Sequence, residues 1–330
     1  MTRNLYLGAD MEPLARAART GDRSALVDAA SVVWATVVKT DFPARAEALA
    51  REIEEAQPLL VGLQEVSLFR TGPVGSSSGT PPNADDVKYD YLKILSQQLQ
   101  ERGLPYKPVA VSENFDVEFP GVTAEGLRDI RLTDRDVILA LTGPGRTGLK
   151  LSNVRTANFS RNVSLLIGQT GLSVSLTRGW CSVDVTAGDR RLRFINTHLD
   201  PYDNEIQGLQ SEELLNGPAK TDLPVILLGD FNTRADGTGT PTYGKLISAG
   251  FKDAWSVTHP NEPGYTFGHL PNLRNTTTDG YLTERIDLVL FRGALSALDA
   301  GVVGEELSAR TPSGLWPSDH AGVVATLGRQ

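Results

Sequence analysis

A mixed α/β fold is predicted for this chain by two recurring patterns. Short apolar runs of strand length stop at a polar side chain, and between them lie segments with helical spacing of apolar residues. The sharpest run lies in residues 223–236, LPVILLGDFNTRAD. Residues 225–228, with Leu223 before the proline, read as a short buried strand, and Gly229 lets the backbone turn. Asp230 and Asn232 are two apart and share one face of an extended chain, while Phe231 points the other way and anchors the turn. A carboxylate and a carboxamide held side by side can hold a water, a metal-bound phosphate, or both. The plainer reading is a turn after a strand, because Asp and Asn are common turn residues. The rest of the chain decides between them.

From the N-terminus, residues 3–7 read as a strand end closed by Gly8, with Asn4 polar within it. A buried strand at the very start suggests an upstream segment, such as a signal peptide, that this sequence lacks. With such a segment the protein is expected to be secreted, and otherwise cytoplasmic. Helices are predicted over 11–19 and 24–38, broken at Gly21 and Asp22, and over 43–56 with Asp41 as N-cap. Residues 59–63 form a buried strand that runs into Gln64 and Glu65, and a glutamate there is costly unless paired or bound to a cation.

Residues 70–86, rich in Gly, Ser and Pro, read as a long exposed loop. A helix over 87–102 follows, with Tyr91, Leu95 and Leu99 on one face and Gly103 past its end. Residues 106–111 and 137–141 read as strands. The charged stretch between them, 112–136, reads as an irregular solvated rim. Further strands are expected at 163–167, 180–186 and 192–197, the last two joined by a hairpin turn at 187–190. That hairpin delivers His198 and Asp200. Helices at 204–215 and 241–249 flank the central run, and strands at 285–291 and 321–327 close the chain.

The chain of 330 residues is long enough for a large core and carries a net charge of −8 from 40 acids and 32 bases. This balance argues mildly against a general nucleic-acid binder. A single cysteine, Cys181, excludes an internal disulfide and a cysteine-based metal site. No apolar run reaches membrane-spanning length, and no repeat period is visible. A single domain over 1–330, a monomer without an obligate protein partner, is expected.

Polar residues therefore stand where buried runs stop: Asn4, Glu65, His198, Asp230 with Asn232, and Asp287, while Asp319 and His320 precede a run. So many coincidences are hard to explain by turns alone, and strand ends that converge on one rim build sites. At this point the chain resembles the endonuclease/exonuclease/phosphatase superfamily, which includes DNase I-like nucleases, neutral sphingomyelinases and inositol-polyphosphate phosphatases. The resemblance rests on the first strand with Asn4, LQE at 63–65, NTHL at 196–199, GDFN at 229–232, RID at 285–287 and SDH at 318–320, in the family's order. It implies a four-layer α/β/β/α sandwich, two mixed sheets packed face to face with helices outside. The chain departs from the family at residues 8–40, an inserted helical stretch, and at Tyr6, where some nucleases carry an acid.

The resemblance also implies roles. Glu65 is the main ligand of Mg²⁺ or Mn²⁺, Asn4 a ligand or its neighbour, and Asp319 a ligand or brace. His320 is a base or proton carrier with Asp287 fixing its tautomer; the alternative for Asp287 is an ion pair with Arg285. Asp230 orients or deprotonates the attacking water or protonates the leaving oxygen, and Asn232 and His198 donate to the phosphate. The choice of base between Asp230 and His320 stays open. His259 and His269 read as ordinary loop residues, and Tyr265 and Phe267 as core. The expected function is hydrolysis of a phosphodiester, nucleic acid or phospholipid headgroup, by activated water. The alternatives are a phosphomonoesterase of the inositol-phosphatase type and a catalytically silent binding module.

Overall fold

Two mixed sheets carry the architecture in the computed structural model, which describes residues 1–75, 81–143, 148–169 and 173–329. The larger sheet runs Leu295–Val303, Gly322–Arg329, Thr2–Asn4, Leu60–Gln64, Gly126–Leu141, Leu68–Gly72 and Asp86–Asp90, with Tyr106–Thr123 also paired to Gly126–Leu141. The smaller runs Lys252–Asp253, Asp287–Arg292, Val225–Asp230, Arg190–His198, Gly179–Ala187 and Leu149–Asn158. Each sheet holds one parallel pair, Thr2–Asn4 with Leu60–Gln64 and Arg190–His198 with Val225–Asp230. Val163–Leu166 and Ser173–Leu176 form a separate two-stranded ribbon.

The sheets pack through apolar side chains such as Ile138, Ala140, Val183, Phe194, Leu228 and Phe291. Helices Glu12–Thr20, Arg23–Lys39, Phe42–Ala56 and Tyr91–Glu101 cover the outer face of the larger sheet through Leu14, Trp34, Leu49 and Leu95. Asn204–Asn216 and Thr242–Ser248 cover the smaller through Leu214 and Leu246. The result is the four-layer sandwich that the resemblance implied. Asp22 and Asp41 accept backbone N–H groups at the starts of their helices, Asp41 as the expected N-cap and Asp22 at the expected break.

Buried polar groups lock the layers in register. Asn196 donates from Nδ2 to the carbonyls of Leu63 (2.9 Å) and Val137 (3.1 Å) across the sheet interface and accepts from Gln64 Nε2 (2.6 Å). Arg45, fully buried, donates to the carbonyls of Leu5 (2.6 Å) and Pro317 (2.9 Å) and so ties the exit of the first strand to the approach of the last. Arg3 forms a forked pair with Glu52, at 2.8 and 3.0 Å, and donates to the carbonyl of His320. Both arginines satisfy backbone oxygens that water cannot reach.

Several elements differ from expectation. Residues 112–136 are not an irregular rim: they are most of a long hairpin, Tyr106–Thr123 against Gly126–Leu141. Opposite charges face each other across it, Glu113 with Arg135 and Glu118 with Arg131, an arrangement that favours pairing. Asp134 and Asp136 are fully buried and Arg135 nearly so. The loop at 70–86 is shorter than expected because Leu68–Gly72 and Asp86–Asp90 pair at its ends; its residues 76–80 lie outside the described residues. The fourth helix consequently starts at Tyr91, capped by Asp90. The first strand spans Thr2–Asn4 alone. Leu149–Asn158 and Leu295–Val303 escaped sequence reading because edge strands exposed along much of their length need no buried alternation. No helix among the described residues is long and apolar enough to cross a membrane.

Candidate active site

Strand register places three polar side chains in one row. Within the smaller sheet His198 lies opposite Asp230, and Asp230 opposite Asp287. Gly229, at φ +147°, makes this row possible, since a Cβ there would lie 1.9 Å from the Thr197 carbonyl oxygen. The facing sheet contributes Asn4, and the approach to the last strand contributes His320. All meet at one carboxylate. Asp230 Oδ2 accepts from Asn4 Nδ2 (3.0 Å) and lies 3.5 Å from His198 Nε2 and 3.7 Å from His320 Nε2. Its Oδ1 accepts the Asn232 backbone N–H (3.0 Å).

His320 Nδ1 donates to Asp287 Oδ2 at 2.8 Å, and Asp287 is wholly buried. Burial works against a charged imidazole, but Asp287, Asp319 and Asp230 together outweigh it and push His320 up to about 10. Burial, eased by the His320 charge, raises Asp230 to about 6. Phe267 packs on the His320 ring with centroids 4.7 Å apart, so it belongs to the site wall and not to the general core. Arg285 does not pair with Asp287; its guanidinium goes to Asp253 and Ser256.

Glu65 and Asp319 lie at the open side. Glu65 Oε2 accepts the Leu7 backbone N–H (2.6 Å), and Asp319 Oδ1 is 3.9 Å from His320 Nε2. Burial, then repulsion from Asp319 and Asp134, holds the Glu65 carboxyl up to about 8. Clustered carboxylates that resist ionisation are what a hard divalent cation relieves, and the donors here are oxygens. The residues present therefore fit such an ion. Asn4 is partly committed, because its Oδ1 accepts the Tyr6 backbone N–H (2.8 Å). Asn232 donates to the Leu199 carbonyl (2.9 Å), which leaves one amide hydrogen for a ligand. A ligand atom from each of Asp230, Asp287 and His320 also falls within 4.8 Å of the others, but the His320–Asp287 hydrogen bond occupies that trio. Tyr6 (φ 61°), Glu65 (φ 56°) and Asn232 (φ 48°) are all left-handed, so backbone strain concentrates at this rim.

Sequence reading missed a second tier behind His198. Arg178 Nη1 lies 3.0 Å from His198 Nδ1. A guanidinium only donates, so Nδ1 accepts and the His198 proton sits on Nε2, aimed at Asp230. Burial, then the charges of Arg178 and His320, pull His198 well below the usual imidazole range and keep it neutral. Arg178 in turn meets Asp134 Oδ2 (3.5 Å), and Asn114 Nδ2 bridges Asp134 (3.0 Å) and Asp136 (2.9 Å). A usable signal was present: Asp134 and Asp136 stand two apart directly before an apolar run, as the other site residues stand at run ends. Arg178 carried no such signal.

Other candidates fall outside the centre. His269 is buried against Trp316, with ring centroids 4.2 Å apart, and His259 stacks on Trp255. Tyr265 is exposed and not core. Asp200 accepts the N–H groups of Tyr202 and Asp203, shaping the turn after His198. Arg191 and Arg193 both pair with Asp184, so they form no free basic patch.

A model of the Endonuclease/Exonuclease/phosphatase family matches residues 38–320. Among solved structures, a family protein from Bacteroides thetaiotaomicron superposes with a TM-score of 0.59 at 16% identity, covering 99% of this chain and 95% of that one. A mannosyl-6-phosphatase from Bacteroides thetaiotaomicron VPI-5482 gives 0.57 at 15% identity, covering 99% and 98%. Humanized TDP2 from D. rerio gives 0.53 at 20% identity, covering 87% and 93%. No curated protein matches the chain significantly. The chain therefore belongs to the endonuclease/exonuclease/phosphatase family, with its DNase I-like fold, and is a phosphoester hydrolase of a family that generally uses a divalent metal.

Proposed function

We propose that the protein hydrolyses a phosphodiester with Mg²⁺ or Mn²⁺, through water activated at Asp230. The observation that carries this reading is the convergence of Asn4, His198 and His320 on one Asp230 carboxylate oxygen. Glu65 and Asp319, with the free lone pair of Asn4 Oδ1, would hold the ion, which supplies Lewis-acid neutralisation of the phosphate. Asp230, raised to about 6, is ionised at neutral pH yet basic enough to take a proton from water. Asn4 and the Asn232 N–H hold its carboxylate in place. His320, charged and fixed by Asp287, stabilises negative charge as it develops and can return a proton to the leaving oxygen. His198 presents its Nε2–H to a phosphoryl oxygen, and Asn232 offers its remaining amide hydrogen.

Asp230 is the base in this reading. A charged His320 has no lone pair with which to accept a proton. A diester is preferred over a monoester because the guanidinium groups described around the centre are already engaged, Arg178 by Asp134 and His198, Arg3 by Glu52 and Arg45 by backbone carbonyls. The second charge of a monoester would lack a partner of its own.

The test is hydrolysis of a panel comprising plasmid DNA, RNA, sphingomyelin, a phosphoinositide and bis-p-nitrophenyl phosphate, each with Mg²⁺, Mn²⁺ or EDTA. Cation-dependent cleavage of a diester is expected. His320→Ala, Glu65→Ala and Asp230→Asn should keep the fold, by circular dichroism, and lose at least about a hundredfold in rate. Full activity in Asp230→Asn would move the base elsewhere. Turnover of monoesters alone would replace the diester reading.

A further inference from the structure

Beside the active centre lies a half-open groove of about 60 Å³ that the chemistry above does not use. That is room for a few waters or a short run of methylenes, at roughly 10–15 Å³ per water. Leu7 and Met11 from the N-terminal segment, Phe115 from the long hairpin, and Leu165 and Val174 from the two-stranded ribbon line it. Apart from Arg178 and Tyr202 every lining residue is apolar. The ribbon is held against the first helix by the Gly168 N–H, which donates to the Ala18 carbonyl at 3.0 Å.

We propose that this groove is a subsite for an aliphatic chain carried by the phosphodiester substrate. The inference rests on the phosphodiesterase reading and adds the class of substituent. Continuity with the centre carries it. Leu7 lines the groove and gives its backbone N–H to Glu65, while Arg178 lines the groove and holds His198. A phosphate at the centre thus places one ester substituent at the groove mouth. The charge of the single ionised lining side chain, Arg178, is matched by Asp134, so a charged substituent finds no counter-charge. A nucleobase would leave most of its polar edge unpaired, with only Tyr202 and Arg178 as polar side chains in the lining to meet it. An aliphatic chain meets neither cost, and it covers apolar surface that is otherwise open to water.

The test uses the full chain with Mn²⁺ and methyl, butyl and octyl esters of 4-nitrophenyl phosphate, below their aggregation concentrations. Burial of each methylene is expected to raise kcat/KM by up to about fourfold until the groove is filled. Val174→Asp, on the ribbon and outside the catalytic set, should flatten the series while leaving the methyl ester rate unchanged. Met11→Trp, which fills the groove without adding charge, should depress the octyl ester selectively. Binding of octylphosphonate against methylphosphonate, by calorimetry, reads the same preference without any turnover. A flat ester series in the wild type, or a rising series equally steep in both variants, overturns the subsite. Failure to cleave even the methyl ester strikes the phosphodiesterase reading instead, and the phosphonate pair then decides the groove: equal binding of the two refutes it.

Discussion

Cation binding should be coupled to proton release at Glu65. Its carboxyl stays neutral up to about 8, through burial and the neighbouring Asp319 and Asp134. A ligand carboxylate must ionise to bind, so each pH unit below 8 costs one proton-binding step, about 1.4 kcal/mol or tenfold in affinity. From pH 8, where half the carboxyl is already ionised, to pH 6 the affinity for Mn²⁺ should fall about fiftyfold, ~2.3 kcal/mol. The assay is titration calorimetry of the metal-free protein at pH 6, 7 and 8, in two buffers of different ionisation heat, which yields about one proton released per ion at pH 6. Glu65→Gln removes both the slope and the released proton. The stability of the metal-free protein runs the opposite way with pH. A carboxyl with a raised folded-state pKa contributes stability that is whole below its ordinary value of 4.5 and is lost as pH rises through about 8. The metal-free protein should therefore melt lower at pH 8 than at pH 5, and Mn²⁺ should restore the loss. An affinity that moves less than about threefold between pH 6 and 8, with no buffer dependence, would refute the reasoning.

Other outcomes follow from buried contacts. Arg178→Met removes the cation beside Asp134 and frees His198 Nδ1; we expect a loss of about 3–5 kcal/mol, and ¹⁵N spectra should find the His198 proton no longer confined to Nε2. Arg3→Met leaves Glu52 buried and unpaired and should cost about 3–5 kcal/mol in urea unfolding. Gly229→Ala forces a Cβ onto the Thr197 carbonyl oxygen, and an expected loss of at least about 3 kcal/mol should come with displaced Asp230 and reduced turnover. Asp203→Ala removes the acceptor for two N–H groups at the start of Asn204–Asn216 and should cost about 1 kcal/mol in urea unfolding.

The sequence by itself determined which strands end in chemistry. The runs into Glu65, His198 and Asp230 are local patterns of burial followed by a polar stop, and each lies at the end of its strand in the fold. Asp287 opens its strand instead, and the antiparallel pairing carries it to the same end of the sheet. Helix starts at Asp22 and Asp41 were legible for the same reason, since a cap acts on residues two or three away. Only the tertiary structure decided how those ends face one another. The row His198–Asp230–Asp287 is a matter of register between strands far apart in the chain, which no local spacing contains. The charges of 112–136 were misread because their partners sit on the opposite strand of the hairpin or, as for Asp134, on Arg178. Arg178 illustrates the limit. Nothing in its neighbourhood along the chain marks it, and the proton it fixes on His198 follows from the register of Gly179–Ala187 against Arg190–His198, which sets Gly179 opposite His198.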